Sequence, residues 1–488
     1  MTHTRQRRRA GQPLKLLVLL VAVALTGSGT ATCAHSMPVP NQLPTEDTRG
    51  ASRHLPSGAD AVPADGTKDS EEATGTAQKP RTTQKPRTTQ KHGVIGAAPI
   101  EKADGPTDTA ALAKRFTAIK SKPGHTAAAV VDPASGKELY GAGDDTLLMP
   151  ASNLKVVTMA SMLSVRDAGT RFTTTVVSPA PGKIVLVGGG DPYLKRSPGE
   201  DGGPWASTEQ LARRTAAALR KAGTTSVTLS YDDSLFGGAT WHPSWPKDYA
   251  DQVTTITSLW VDEGVDPATG VRVGNPADQA ATTFADQLKA NGIKVTGKPA
   301  RTKGSGAKIA EVRSAPLEEI INRALLHSDN SATEVMGRQL ALATGGKPDP
   351  AGVRAVLQAK LKEFGAWQDG AVIDDASGLS RSNRVSPRML ATVWTKVLAT
   401  PAMQPMLDGV PISGVTGGLS YRYDQPETKP ARGLVHAKTG TLTGVASLSG
   451  WVRTPDGRVL VEGLIVNDAP VDQGQVWVDH ASAAVSHG

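Results

Sequence analysis

Two strand-like runs lie near the end of the chain, VASLSGWVR at 445–453 and RVLVEGLIVN at 458–467. A further run, TAAAVVDPASGKELYGA at 126–142, reads as a hairpin turned by Asp132-Pro133-Ala134-Ser135-Gly136. Helical stretches at 316–343, 350–364 and 386–399 lie between, and a last helix is expected near 471–485. A helix-rich middle between an early hairpin and late strands implies one sheet built from both ends of the chain. Residues 171–314 differ in character: short strand-like runs at 183–194 and 227–233 alternate with helical runs at 207–222 and 277–291. They read as an inserted α+β domain.

The first hundred residues carry most of the net positive charge. Net charge is +8, yet residues 1–100 hold 13 Lys and Arg against 7 Asp and Glu. The other residues are nearly balanced, so the basicity is no sign of a nucleic-acid surface. Arg5, Arg7, Arg8, Arg9 and Lys15 precede an apolar run from Leu16 to Leu25 and then small residues, the layout of a secretory leader too short to span a bilayer. Cleavage is expected after Ala34, with lipidation at Cys33 and an uncleaved anchor as alternatives. Cys33 is the sole cysteine, which leaves no disulfide framework. From 35 to 107 the sequence is poor in large apolar residues and repeats KPRTTQ at 79–84 and 85–90, a composition that cannot offset its ordering entropy. It is expected to be a disordered tether.

Three short motifs carry chemistry. Ser152 and Lys155 stand three apart where a helix is expected to start, which sets hydroxyl and ammonium on one face in the positive end of the helix dipole. Alone, they read as well as a capping serine and a surface lysine. Ser328-Asp329-Asn330 follows the helical run LEEIINRALLH. In an extended turn Ser328 and Asn330 would point the same way, one to shuttle a proton and the other to donate to a substrate carbonyl. The bland alternative is a helix stop followed by a new cap. Lys438-Thr439-Gly440 opens an alternating run to Trp451, so Lys438 and Gly440 face one side of a strand. Gly440 would leave room for an extended peptide, and Thr441 would offer its N–H beside that of Ser152. Each motif is weak, but the set in this order is that of serine β-lactamases and penicillin-binding proteins.

With VGGGDPYL (187–194), YDDSLF (231–236) and DDASGLSRSNRVSP (374–387), the motifs make residues 110–488 resemble the class C low-molecular-mass penicillin-binding proteins, the D-alanyl-D-alanine carboxypeptidase/endopeptidases. That resemblance implies a transpeptidase-like α/β (α+β) fold, an antiparallel sheet flanked by helices, from 108–170 and 315–488, interrupted by the 171–314 insertion. It makes Ser152 the nucleophile and Lys155 its base, with Ser328 and Asn330 assisting. Lys438 would bind the substrate carboxylate beside Thr439 and Gly440, and the N–H groups of Ser152 and Thr441 would form the oxyanion hole. Peptidoglycan stem peptides are the implied substrate, β-lactams the inhibitors, and the cell wall the place of action. No metal or cofactor is implied. A serine β-lactamase and a non-catalytic wall-binding protein on the same scaffold are the rival readings. Arg381 and Asp248, the latter between Trp245 and Tyr249 as pocket walls, are expected to hold a zwitterionic side chain of the stem peptide. The alternative is that Arg381 pairs with Asp374 or Asp375 and Asp248 caps a turn.

Overall fold

The computed structural model describes residues 107–199 and 203–487. The leader, Cys33 and the tether lie outside these residues, apart from Thr107. In chain order the strands are β1 (His125–Val131), β2 (Glu138–Ala142), β3 (Thr173–Ala180), β4 (Lys183–Val187), β5 (Ser226–Asp232), β6 (Lys294–Arg301), β7 (Ala307–Arg313), β8 (Val435–Leu442), β9 (Val445–Arg453) and β10 (Val459–Asn467). The α-helices are α1 (Thr109–Ala118), α2 (Leu154–Leu163), α3 (Thr208–Lys221), α4 (Pro276–Ala290), α5 (Leu317–Leu326), α6 (Asn330–Ala343), α7 (Pro350–Glu363), α8 (Pro387–Ala399) and α9 (Val471–Ser486).

The first sheet runs β2-β1-β10-β9-β8, every pair antiparallel, and so joins both ends of the folded chain. Its hairpin turns where expected: Asp132 accepts from the Ala134 N–H at 2.9 Å and from the Ser135 hydroxyl at 2.6 Å. Alternate residues serve opposite faces, as the pleat demands. Ala127, Ala129, Trp451, Val461 and Ile465 pack with α2 and α8, while Ala128, Val130, Leu448, Leu460 and Leu464 pack with α1 and α9. Both faces are therefore covered, which explains why β9 and β10 read as near-continuous apolar runs rather than alternating ones. All ten residues of α2 are buried, so this helix is a central column rather than an amphipathic surface element.

The second sheet, β6-β5-β4-β3-β7, comes wholly from the inserted segment. β4, β5 and β6 are parallel neighbours, and β3 is antiparallel to β4 and β7. α3 and α4 share its core through Leu211, Leu219, Phe284 and Leu288. The insertion is nonetheless not closed on itself: Phe236, Trp245, Val253, Ile256 and Trp260 belong to the core around α2. Its middle therefore packs into the first body, where the site lies.

Trp394 on α8 is fully buried, meets Trp451 edge-on at 5.5 Å and donates to the Ser449 hydroxyl at 2.9 Å. Trp394→Ala should lower unfolding free energy by about 3–5 kcal/mol through the cavity it leaves, read from the denaturant midpoint.

Candidate active site

Ser152 lies in a single 3₁₀ turn, Ala151–Asn153, that runs into α2. The expected capping role is not what the structure shows: no side chain caps either start. The hydroxyl faces Lys155 instead, whose Nζ lies 2.9 Å from Ser152 Oγ. The turn is bent, with Ala151 at φ +47°. It is held from two sides. Gly378 at φ +87° presses on it so closely that a Cβ there would stand 1.9 Å from the Ala151 carbonyl oxygen. Asn153, fully buried, donates to Ser447 Oγ at 2.7 Å and accepts from Ser449 Oγ at 2.5 Å, while Ser447 Oγ donates to the Pro150 carbonyl at 2.6 Å. Sequence reasoning missed this stitch; its trace was two serines at alternate positions of an otherwise apolar strand.

Lys155 is fully buried and has three acceptors: Ser152 Oγ, Asn330 Oδ1 at 2.6 Å and the Ser377 carbonyl at 2.8 Å. Burial pushes its pKa down to about 8, opposed by the negative charges of Asp375, Asp329 and Glu334. Roughly a tenth of such a lysine is neutral at pH 7, against well under a thousandth for an exposed one. Lys438 is also fully buried, 2.9 Å from Ser328 Oγ and 2.7 Å from the Thr439 carbonyl. Burial, and next the charge of Lys155, hold its pKa well below the usual lysine value.

Ser328-Asp329-Asn330 is not an extended turn. α5 ends at Leu326, Ser328 takes φ +55°, and Asp329 caps α6 by accepting from the Ala332 N–H at 2.9 Å. The stop-and-cap geometry is the very thing that presents the two polar residues. Ser328 meets Lys438, and Asn330 meets Lys155 while its amide donates to the Gln252 carbonyl at 3.0 Å. Gln252 belongs to the insertion, a contributor that sequence reasoning did not single out.

β8 is the outermost strand of its sheet. Residues 411–413 cover its beginning, with Ala437 N–H on the Pro411 carbonyl and Ser413 N–H on the Val435 carbonyl, both at 2.9 Å. The stretch from Thr439 onward lies past that cover. Thr441 is exposed, and its hydroxyl lies 3.4 Å from Gln475 Nε2. Gly440 is small for a reason other than the one expected. A Cβ there would lie 2.2 Å from Ser447 Oγ and 2.7 Å from the Pro150 carbonyl oxygen, so the strand presses against the nucleophile turn itself.

The two remaining candidates are exposed. Arg381 donates to the Thr443 carbonyl at 3.0 Å, and pairs with neither Asp374 nor Asp375. Those acids are engaged elsewhere. Asp374 binds Arg354 at 3.0 Å, Ser380 Oγ at 2.6 Å and the Ser244 hydroxyl, and Asp375 accepts from Trp245 Nε1 at 2.9 Å and from the Ser380 N–H at 2.6 Å. Asp248 sits in a 3₁₀ turn, Lys247–Asp251, without a side-chain cap. Trp245 is no pocket wall: it is buried in the core, 4 % exposed, because Asp375 satisfies its N–H there. The segments bearing Asp248 and Arg381 are thus tied together through Ser244, Trp245 and the 374–380 loop. No hydrogen bond or ion pair joins the two side chains.

Gly440→Ala should destabilise the protein by about 1–3 kcal/mol, since backbone and a buried hydroxyl must give way. Gly274→Ala, with open space around it, should leave the denaturant midpoint unchanged.

The D-Ala-D-Ala carboxypeptidase 3 (S13) family profile matches residues 109–270 and 266–483. The chain is 34 % identical over 404 residues to carboxypeptidase DacB of Mycolicibacterium smegmatis, covering 80 % of this chain and 87 % of that one. It is 28 % identical to a D-alanyl-D-alanine carboxypeptidase of an Actinomadura species, covering 72 % and 79 %. Penicillin binding protein 4 of Haemophilus influenzae superposes with a TM-score of 0.63 at 18 % identity, over 77 % of this chain and 98 % of the other, a likeness of fold. With Ser152, Lys155, Ser328, Asn330 and Lys438 gathered in one site, the chain belongs to the D-Ala-D-Ala carboxypeptidase 3 (S13) family of serine peptidases.

Proposed function

We propose that this protein hydrolyses the bond between the two terminal D-alanines of peptidoglycan stem peptides through an acyl-enzyme on Ser152. The observation that carries the reading is the buried Lys155 amine, 2.9 Å from the Ser152 hydroxyl and depressed toward neutrality. Neutral Lys155 accepts the hydroxyl proton as Oγ attacks the carbonyl carbon. The developing oxyanion is met by the N–H groups of Ser152 and Thr441. The proton taken up by Lys155 passes on through Ser328, which Lys438 holds, to the departing amine, so D-alanine leaves and Lys155 is neutral again. Water then attacks the ester, giving its proton to Lys155, and the shortened peptide leaves as Ser152 regains its hydrogen.

Lys438 does not meet solvent, so the substrate carboxylate rests on the Ser328 and Thr439 hydroxyls with the lysine beneath them. An arriving carboxylate favours the lysine cation and reverses its depressed pKa. The peptide lies along the open part of β8 as an added strand. A cross-link bond of the same stereochemistry is open to the same attack. A β-lactam acylates Ser152 too, but its leaving nitrogen stays tethered to the acyl group. The Haemophilus protein has been solved with a β-lactam bound. Such a substrate lies outside the cytoplasm, in keeping with the leader expected at 1–34.

Arg381 and Asp248 are proposed to read the distal carboxylate and ammonium of the stem peptide. Both are exposed, so each contributes about 0.2–1 kcal/mol rather than the value of a buried pair.

Ser152→Ala should abolish labelling by a fluorescent penicillin and release of D-alanine, with the circular dichroism spectrum unchanged; residual labelling would place the nucleophile elsewhere. Acylation should rise with pH through a limb near 8, because only the neutral amine accepts the proton. Lys155→Arg should be nearly inactive across that range, since guanidinium stays protonated. Between peptides with and without a zwitterionic side chain, the parent should prefer the zwitterion several-fold. Asp248→Ala and Arg381→Ala should each shrink that ratio, with penicillin acylation unmoved; variants that keep the parental ratio exclude the pair.

A further inference from the structure

One buried acid beside this site is left unused by the mechanism. Glu334 stands one helical turn after Asn330 on α6, so the two share a face. It is 4 % exposed. Its Oε1 accepts from the Ala376 N–H at 3.0 Å and from the Ser377 N–H at 2.8 Å. The carbonyl of Ser377 is in turn the acceptor 2.8 Å from Lys155 Nζ, and the Ala376 carbonyl accepts from Thr158 Oγ1 on α2 at 2.7 Å. α6 therefore grips Lys155 twice, directly through Asn330 and through the 374–383 loop by way of Glu334.

We propose that Glu334 is a positioning residue for the base: it holds the Ser377 carbonyl on Lys155, and its charge is one of three that tune the pH at which Lys155 can act. The inference rests on the assignment of Lys155 as the base. The groups facing Glu334 are few. Asp375 on the same loop adds negative charge, and Arg338 on α6 adds positive charge. Arg338 spends its N–H groups elsewhere, on the carbonyls of Gly237, Pro348 and Ala239, each at 2.9 Å. Burial first, then Asp375, push the Glu334 carboxyl up to about 7, against the hydrogen bonds from Ser377. Its charge in turn supports the Lys155 cation, adding to the larger contributions of Asp375 and Asp329.

Two groups that feel each other thus titrate in neighbouring ranges, the acid near 7 and the amine near 8. As pH rises, Glu334 gains its charge just before Lys155 should lose its own. The new negative charge delays that loss. The limb along which acylation grows is therefore stretched toward higher pH and shallower than a single-proton step. Glutamine in place of Glu334 keeps a carbonyl oxygen for the two N–H groups and removes the charge. Alanine removes both.

The test is the second-order rate of acylation by a fluorescent penicillin from pH 5 to 10, measured on the full chain. For Glu334→Gln the limb should move to lower pH by about half a unit or more and steepen, with the plateau near the parent's. For Glu334→Ala the plateau should fall about tenfold or more, since the loop loses its anchor and the Ser377 carbonyl its fixed place. A structural role alone would leave the Gln limb where the parent's lies, because limb position does not depend on the amount of active protein. A Gln profile that superposes on the parent's overturns the inference and leaves the Ser152 mechanism standing. A parent that takes no label at any pH overturns both.

Discussion

A lysine ammonium without solvent is the constraint around which this site is arranged. Taking such a charge out of water costs several kcal/mol unless partners replace the lost hydration. Lys155 has three acceptors, one for each proton of the ammonium, drawn from α2's own leading turn, from the start of α6 and from the 374–383 loop. Three acids of that neighbourhood, Asp375, Asp329 and Glu334, keep the cation from being driven out altogether. The balance leaves the amine near the middle of its titration at mildly alkaline pH. Without the acids it would be a neutral amine with no proton to return; without burial it would be a permanent cation and no base. Both terms are needed for a group that must take a proton and give it back.

The same requirement explains the topology. A fully buried amine needs a packed helix around it, and α2 is buried along its entire length. A substrate in extended form needs an open sheet edge beside that helix, and β8 provides one only because β9 and β10 fill the middle of the sheet. The helix comes early in the chain and the edge strand late. The sheet joins them by pairing β1 with β10, so closure of a long loop brings the serine to the strand. Gly440 then marks the point where the strand and the serine turn touch, with no space for even one methyl group.

Much of this was legible in the sequence because the chemistry is local. Ser152 and Lys155 share a face by spacing alone, as do Lys438 and Gly440, and the two-ended sheet followed from the order of helical and strand runs. What escaped were choices made by tertiary contacts. Nothing local distinguishes Ser152 as a cap from Ser152 inside a 3₁₀ turn; the difference lies in Gly378 pressing on Ala151. Trp245 sits in WHPSWPKDY, a segment with the polar and proline content of a surface loop, and is buried because Asp375 accepts from its ring nitrogen. Asn153, Glu334 and Gln252 are polar residues whose partners lie far off in sequence, so their roles exist only in the fold.

Backbone strain follows the same logic. Among the described non-glycine residues with positive φ are Ala151 and Ser328, the residue before the nucleophile and the residue that holds Lys438. Such conformations cost of order 1–3 kcal/mol each and persist where surrounding contacts over-determine them. Asp262 and Glu263, consecutive residues of the insertion, belong to the same set. Glu263 is half-buried and hydrogen-bonded to Asp329, and its carboxyl is pushed up to about 8 by desolvation and by that neighbouring charge. Asp329 also accepts from the Tyr193 hydroxyl at 3.0 Å. The residue between Ser328 and Asn330 is therefore clamped by two side chains of the inserted segment, while Gln252 of the same segment holds Asn330 itself. An appended domain would not carry strain aimed at the second motif. The insertion is one wall of the site, and the turn that presents Ser328 and Asn330 takes its shape from both bodies.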